Sequence, residues 1–335
     1  NVVSRVSRNR NSVDLSMAQL RDVSNGAYAL DLLQKQVGKL VQLQAPVSAG
    51  EGTEPLHQMR VAMRRLSTTL VQFEPALRVP AALSNQRLAK WVRRLGMARD
   101  LDVLRERLED GLLPQLPKAE VQTLRPVLKQ LRRERHLAYA HVVEVLKSPS
   151  YLEGLAQLQR WFKQPEFTAL GQQPIAAWIA DWQLPCLEGL FLHPGWQVGS
   201  LAQDPDCLHE LRRQLKQVRY RLENLAPLQG PSSAPWIGRF KRGQELLGEC
   251  NDLLVLQRAI NDQLQSELAL KLPQLAWLLD VSQSHCWERW SELAQELLPA
   301  QQRRRLRRDL LWGGGASSKL DRLRLGLGRL AGPWG

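Results

Sequence analysis

No apolar run in this sequence approaches the ~18 to 20 residues that a membrane-spanning helix needs. No charged, apolar and small-residue succession opens it in the manner of a secretory signal. Both absences predict a cytoplasmic protein. The four cysteines, Cys186, Cys207, Cys250 and Cys286, form no CxxC pair, so neither a zinc knot nor a disulfide framework is expected, and reduced core thiols are. Long Val/Ile/Thr alternations and Asn-Gly hairpin signals are missing, which argues against sheets. HxxxH and HExxH spacings are missing too, as is a glycine loop of the kind that cradles phosphate. His57 and His209 lie far apart in sequence, His136 and His141 are five apart, and His285 adjoins Cys286. No metal and no cofactor is therefore expected.

What remains is rich in Leu, Gln, Arg and Ala, with 44% hydrophobic and 24% charged residues among 335, enough chain for a sizeable core. The expected class is all-α. The net charge of +13 points to polyanionic partners, but it is concentrated at the ends. Residues 303–335 carry nine Arg/Lys against Asp309 and Asp321, a net of +7, and residues 1–14 carry three Arg against Asp14, a net of +2. Residues 15–302 are left with +4, so an anion site in the body must be made by gathering cations.

The chain repeats itself. "LHQMRVAMRRL" at 56–66 aligns with "LHELRRQLKQV" at 208–218, an offset of 152, pairing His57 with His209, Arg60 with Arg212 and Arg64 with Lys216. "LGMARDLDVL" at 95–104 aligns with "LGECNDLLVL" at 247–256 at the same offset, pairing Gly96 with Gly248 and Asp100 with Asp252. Two separated motifs sharing one offset predict a tandem duplication. The expected organisation is a basic extension at 1–24, a first four-helix half at 25–163, a linker at 164–173, a second half at 174–312, and a Gly/Ser hinge with a basic tail at 313–335. Proline, glycine and serine breaks divide the halves coarsely into helices at 26–44, 54–75, 83–110 and 117–147, with 151–163 leading out, and at 175–192, 205–226, 235–266 and 272–298.

At ~100° per residue, His57, Arg60 and Arg64 share an arc of roughly 60°, opposite Met59, Met63, Leu66 and Leu70. His209, Arg212 and Lys216 repeat that arc, with Tyr220 beside it. Arg87, Lys90 and Arg94 show the same i, i+3, i+7 spacing, and their counterparts are Arg239, Arg242 and Leu246, so the basic surface is predicted to be unequal. From pattern alone such a face is either solvated or a ligand surface, and its repetition favours the ligand. Asp100 and Asp252 read as internal partners of the cations, and Gly96 and Gly248 as places of close helix approach or a local bend. Arg132 and Arg135 are candidate extensions. Trp178, Trp182, Trp277, Trp287 and Trp290 fall at helical spacings and read as packing residues rather than base-stacking platforms.

The four segments "HQMRVAMRRL", "LGMARDLDVL", "HELRRQLKQVRY" and "LGECNDLLVL" together resemble the CHAD family, the conserved-histidine α-helical domain, over about residues 25–312. The resemblance implies two four-helix bundles related by a pseudo-twofold axis, a basic groove, binding of inorganic polyphosphate and association with polyphosphate granules. The resemblance and the helical spacing together put His57, Arg60, Arg64, Arg65, Arg87, Lys90, Arg94, His209, Arg212, Lys216, Arg219, Tyr220, Arg239 and Arg242 at the expected groove. Relatives fused to a CYTH triphosphatase carry an ExExK pattern that does not occur here. Ser67, Gln217 and Asn251 depart from a symmetric basic pattern, opposite Arg219, Arg65 and Arg99. With no catalytic constellation found, the expectation is a binding module rather than an enzyme. The alternatives are an accessory subunit of a polyphosphate- or triphosphate-metabolising enzyme, and a nucleic-acid binder acting through the tail.

Overall fold

Ser24 begins the first helix. Its hydroxyl accepts from the Ala27 N–H at 3.2 Å, and Gly50, at φ 71°, ends the helix by donating its N–H back toward Pro46 and Val47. The computed structural model describes residues 22–80, 85–265 and 268–312. Over these the chain is all-α, with two isolated bridges, Ser24 to Pro174 and Leu77 to Phe167. The helices longer than one turn are α1 (Asn25–Ala49), α2 (Glu54–Gln72), α3 (Asn85–Glu106), α4 (Lys118–Lys147), α5 (Pro149–Lys163), α6 (Ile179–Leu187), α7 (Pro205–Gln229), α8 (Ala234–Leu264), α9 (Pro273–Leu297) and α10 (Ala300–Trp312), with a π-helical turn at Arg107–Leu112 and a short helical turn at Leu268–Lys271. Proline at the first or second position opens α2, α5, α7, α8 and α9, where a missing N–H is harmless. Among the described residues no helix is long and apolar enough to cross a membrane.

In sequence order α1 packs on α2, α2 on α3 and α3 on α4; α7 packs on α8 and α8 on α9; α2 against α7 joins the two sets. Two hydrophobic cores result, and each draws on both sets. The first holds α1, α2, most of α3, the end of α4 and α5, together with Trp182 of α6 and Leu225 and Leu228 of α7. The second holds α7 to α10 together with Leu104, Leu108 and Leu112 and the α4 residues Leu124 to Leu131. The 30-residue α4 thus lies in both.

The structure differs from the sequence expectation in four places. The helix expected at 175–192 is broken into short 3-10 turns around α6, because Pro174, Pro185 and Pro194 lack a donor and Gly189 turns at φ 72°. Residues 149–163 form a capped helix, with Ser148 accepting from the Tyr151 N–H, rather than a lead-out. The basic stretch from 303 is helical to Trp312, docked through the buried Leu306 and Leu310 at i, i+4. Cys250 and Cys286 correct the expectation of four reduced thiols, since they are paired as a disulfide between α8 and α9, while Cys186 and Cys207 are free. The expected basic extension lies almost wholly outside the described residues, as do the Gly/Ser hinge and the tail from 313.

One buried carboxylate fastens the start of α4 to the second core. Both oxygens of Glu120, in the first turn of α4, accept backbone N–H groups at the start of α9, from Gln274 and Leu275, each at 2.9 Å. These are orphan donors at the positive end of a helix, where an anion is favoured. Glu120→Ala is expected to lower unfolding stability by roughly 2–3 kcal/mol, read from the denaturation midpoint at unchanged slope. A loss under ~0.5 kcal/mol would show that water replaces the carboxylate at no penalty.

Candidate functional site

The α2–α7 pair runs side by side, with equivalent positions meeting: Arg64 interacts with Lys216, and the Asn224 amide donates to Gln72 at 2.9 Å. Apolar stripes hold the pair in place. Leu56, Met59, Met63 and Leu66 are buried on α2, as are Leu211, Leu215, Val218 and Leu222 on α7. The remaining faces bring Arg60 and Arg64 toward Arg212 and Lys216.

Two glycines give the guanidinium groups their seats. Arg60 lies over Gly96 of α3, where an added Cβ would stand 3.5 Å from its Nη2, and donates through Nη1 to Asp100 at 2.8 Å. Arg212 lies over Gly248 of α8, where a Cβ would stand 3.0 Å from its Nε. A glycine at i and an aspartate at i+4 therefore make a slot in which an arginine lies flat against the neighbouring helix. Asp252, four residues after Gly248, has Arg107 at 3.8 Å and feels Asp100 as a like charge, so the two slots open onto one place.

The electrostatics show how crowded that place is. Burial, then Arg64, Arg212, Arg60 and Arg219, push the Lys216 ammonium down to about 6. Burial and Arg60 push Arg64 down to about 10. His57 is lowered by burial and then by Arg99, Arg60 and Lys216; His209 is lowered by burial and then by Arg212 and Arg213. Burial raises Asp252 against the pull of Arg212 and Arg107. Of the four central cations, Arg60 alone has a carboxylate within 4.0 Å among the described residues. The Nε atoms of Arg60, Arg64 and Arg212 are buried without an acceptor. His57 stands at the rim and also lines a cleft between α1 and α2 with Gln36, Lys39 and Gln58.

Residues 31–261 match the CHAD domain family. The chain belongs to the CHAD family. Its fold is similar to the crystal structure of the CHAD domain from the plant Ricinus communis, 23% identical, over 90% of this chain and 94% of that one, with a TM-score of 0.55. It is also similar to PptA from Streptomyces chartreusis, 19% identical, over 82% of this chain and 98% of that one, with a TM-score of 0.55. No protein with a curated description matches it.

In this CHAD chain not every residue expected at the groove reaches it. Arg87, Lys90 and Arg94 are exposed on α3, but at 100° per residue they stand 120° to 180° around the helix from Gly96. Arg239 and Arg242 are turned away from Gly248 in the same manner. Arg239 is paired with Glu296 at 2.5 Å, its guanidinium lying 4.7 Å from the Trp236 ring centre. Arg132 pairs with Glu109 at 2.8 Å, and Arg135 with the fully buried Asp102 at 2.5 Å, over the Tyr139 ring. Arg65, Arg219 and Tyr220 are near the cluster but engaged with one another. Two residues outside the expected set do belong. Arg99 faces His57 and Arg107 faces Asp252. Arg107 had a signal in the sequence, since it follows Gly96 and Asp100 by eleven and seven residues and so shares their strip.

Proposed function

We propose that this CHAD domain is a binding module for inorganic polyphosphate, held in the crevice between α2 and α7. Arg60, Arg64, Arg212 and Lys216 contact the chain, His57 and His209 add donors at the rim, and Arg99 and Arg107 extend the path. The observation that carries this is the gathering of four basic side chains from two helices, of which Arg60 alone has a carboxylate partner among the described residues. Such crowding is unfavourable in the empty protein, and a polyanion relieves it. A chain with about one charge per phosphate offers each guanidinium a charge-assisted contact, and rigid helices leave little to order on binding. The association of the family with polyphosphate and triphosphate agrees. Through the polymer, the protein would collect on polyphosphate granules.

A crevice walled by two helices admits a thin flexible chain and excludes a duplex. In competition at equal salt and equal total charge, the full chain is expected to bind long-chain polyphosphate at least about tenfold more tightly than duplex DNA, ~1.4 kcal/mol. Replacing Arg304, Arg305, Arg307 and Arg308 of α10 by Gln should leave that preference standing. Equal affinity for the two polymers would reduce the site to an unshaped basic surface, and loss of polyphosphate binding in the α10 variant would move the function to that helix.

A further inference from the structure

Immediately below the cation cluster, α2 and α7 are fastened by an arrangement that exists on one side of the molecule. Glu223 of α7 uses both carboxylate oxygens. Oε2 accepts from Arg65 Nη2 of α2, and Oε1 accepts from Arg219 Nη1 at 2.5 Å. Both guanidinium groups lie over the ring of the buried Tyr220, at 4.6 and 4.4 Å from its centre, and Arg219 Nε donates to Gln244 of α8 at 3.0 Å. Farther along the pair, Asn224 donates to Thr69 and Gln72, and Gln72 donates to the Arg221 carbonyl. At the offset of 152, Arg65, Arg219 and Glu223 correspond to Gln217, Ser67 and Val71. The departures from a symmetric basic pattern thus coincide with this fastening.

We infer that Glu223 is a positioning residue, which holds α2 against α7 so that Arg60, Arg64, Arg212 and Lys216 stay gathered, with Arg65, Arg219 and Tyr220 as its fittings rather than as ligand contacts. The inference rests on the polyphosphate reading. The crowded basic groups shared between the two helices push them apart, against the apolar stripes that pack the pair, and among the described residues no ion pair crosses from one helix to the other at the cluster itself. Of the polar stitches between the helices, the one nearest the cluster is Glu223, one to two turns beyond Lys216. Taking its charge away leaves Arg65 and Arg219 facing each other and adds their repulsion to the cluster.

The test sets position against charge. Glu223→Gln raises the net charge by one, so a surface that reads charge alone binds more tightly. If Glu223 positions the helices, its affinity for polyphosphate of defined length, measured by titration calorimetry at fixed salt, falls about tenfold. Protons taken up per chain bound, from calorimetry in two buffers, also fall, because Lys216 is less crowded and already charged. A second variant, Arg65→Met with Arg219→Met and Glu223→Met, replaces the fastening by an apolar one. It should return affinity to within about threefold of the wild type with two cations gone, and it stays informative if Glu223→Gln fails to fold. Unchanged or tighter binding by Glu223→Gln overturns the inference. So does a triple variant as weak as a deletion of cluster cations, which would restore Arg65 and Arg219 as ligand contacts. A wild-type protein that binds no polyphosphate would instead bring down the reading beneath it.

Discussion

Arg60→Met combined with Arg64→Met weakens polyphosphate binding by about 100-fold near physiological salt, and Arg212→Met combined with Lys216→Met does the same. Each charge-assisted contact is worth roughly 1.5–3 kcal/mol, and two neighbours on one polymer add less than their sum. A loss of ~2.7 kcal/mol is the corresponding free energy. The salt dependence should flatten at the same time. Each phosphate contact removed takes about 0.7 from the slope of log K against log salt, so about 1.4 for a pair. Anisotropy titrations at three salt concentrations read both quantities. The two losses should be of similar size, because Arg94, which the second half lacks, stands on the far flank of α3, and Arg65 is engaged with Glu223. A double variant with unchanged affinity and slope would remove its helix from the site.

Binding should also take up protons. The empty protein holds Lys216 neutral above about pH 6. The unfolded chain keeps it charged to about 10.4. Stability contributed by this group is therefore lost as pH falls through that window, and the loss is complete near pH 6. An anion in the crevice restores the charge, so between pH 6 and 8 the affinity falls by up to tenfold per pH unit on account of Lys216. His57 and His209, both lowered in the empty protein, add to the fall at its acidic end. Lys216→Met should abolish most of the slope above pH 7, and His57→Gln with His209→Gln should flatten the part below it. Lys216→Met should also raise the thermal midpoint of the empty protein by about 2–4 °C at pH 7. A pH profile that survives both substitutions, with an unchanged midpoint, would mean that the cluster is already hydrated and relaxed.

Much of this site was legible in the sequence because helical periodicity was enough to define it. His57, Arg60 and Arg64 share an arc, and the offset of 152 placed a second arc at His209, Arg212 and Lys216. Periodicity states which residues share a face, but packing decides where the face points. Arg87, Lys90 and Arg94 show the same spacing and look elsewhere, because Leu88, Trp91 and Leu95 fix the rotation of α3. Pairing across 158 residues, as between Arg65 and Glu223, leaves no trace in local spacing. The pairing of Cys250 with Cys286 was equally invisible, and the helix expected at 175–192 overran prolines that were there to be read. Helix α10 was read for its arginines, while Leu306 and Leu310, which anchor it, passed as tail.

The presence of α4 in both cores bears on how the protein is made. When the ribosome has finished α4 and α5, Leu124, Val127, Leu128 and Leu131 have only Leu104, Leu108 and Leu112 of their core as partners, because α7 to α10 are not yet synthesised. At roughly 5–20 residues per second, the rest of the second core follows over about seven to thirty seconds. During that interval the nascent chain displays an apolar helix half to its surroundings. Translation rate and chaperone supply thus become determinants of yield, and a gene split after residue 163 would encode two products, each lacking part of the other's interior.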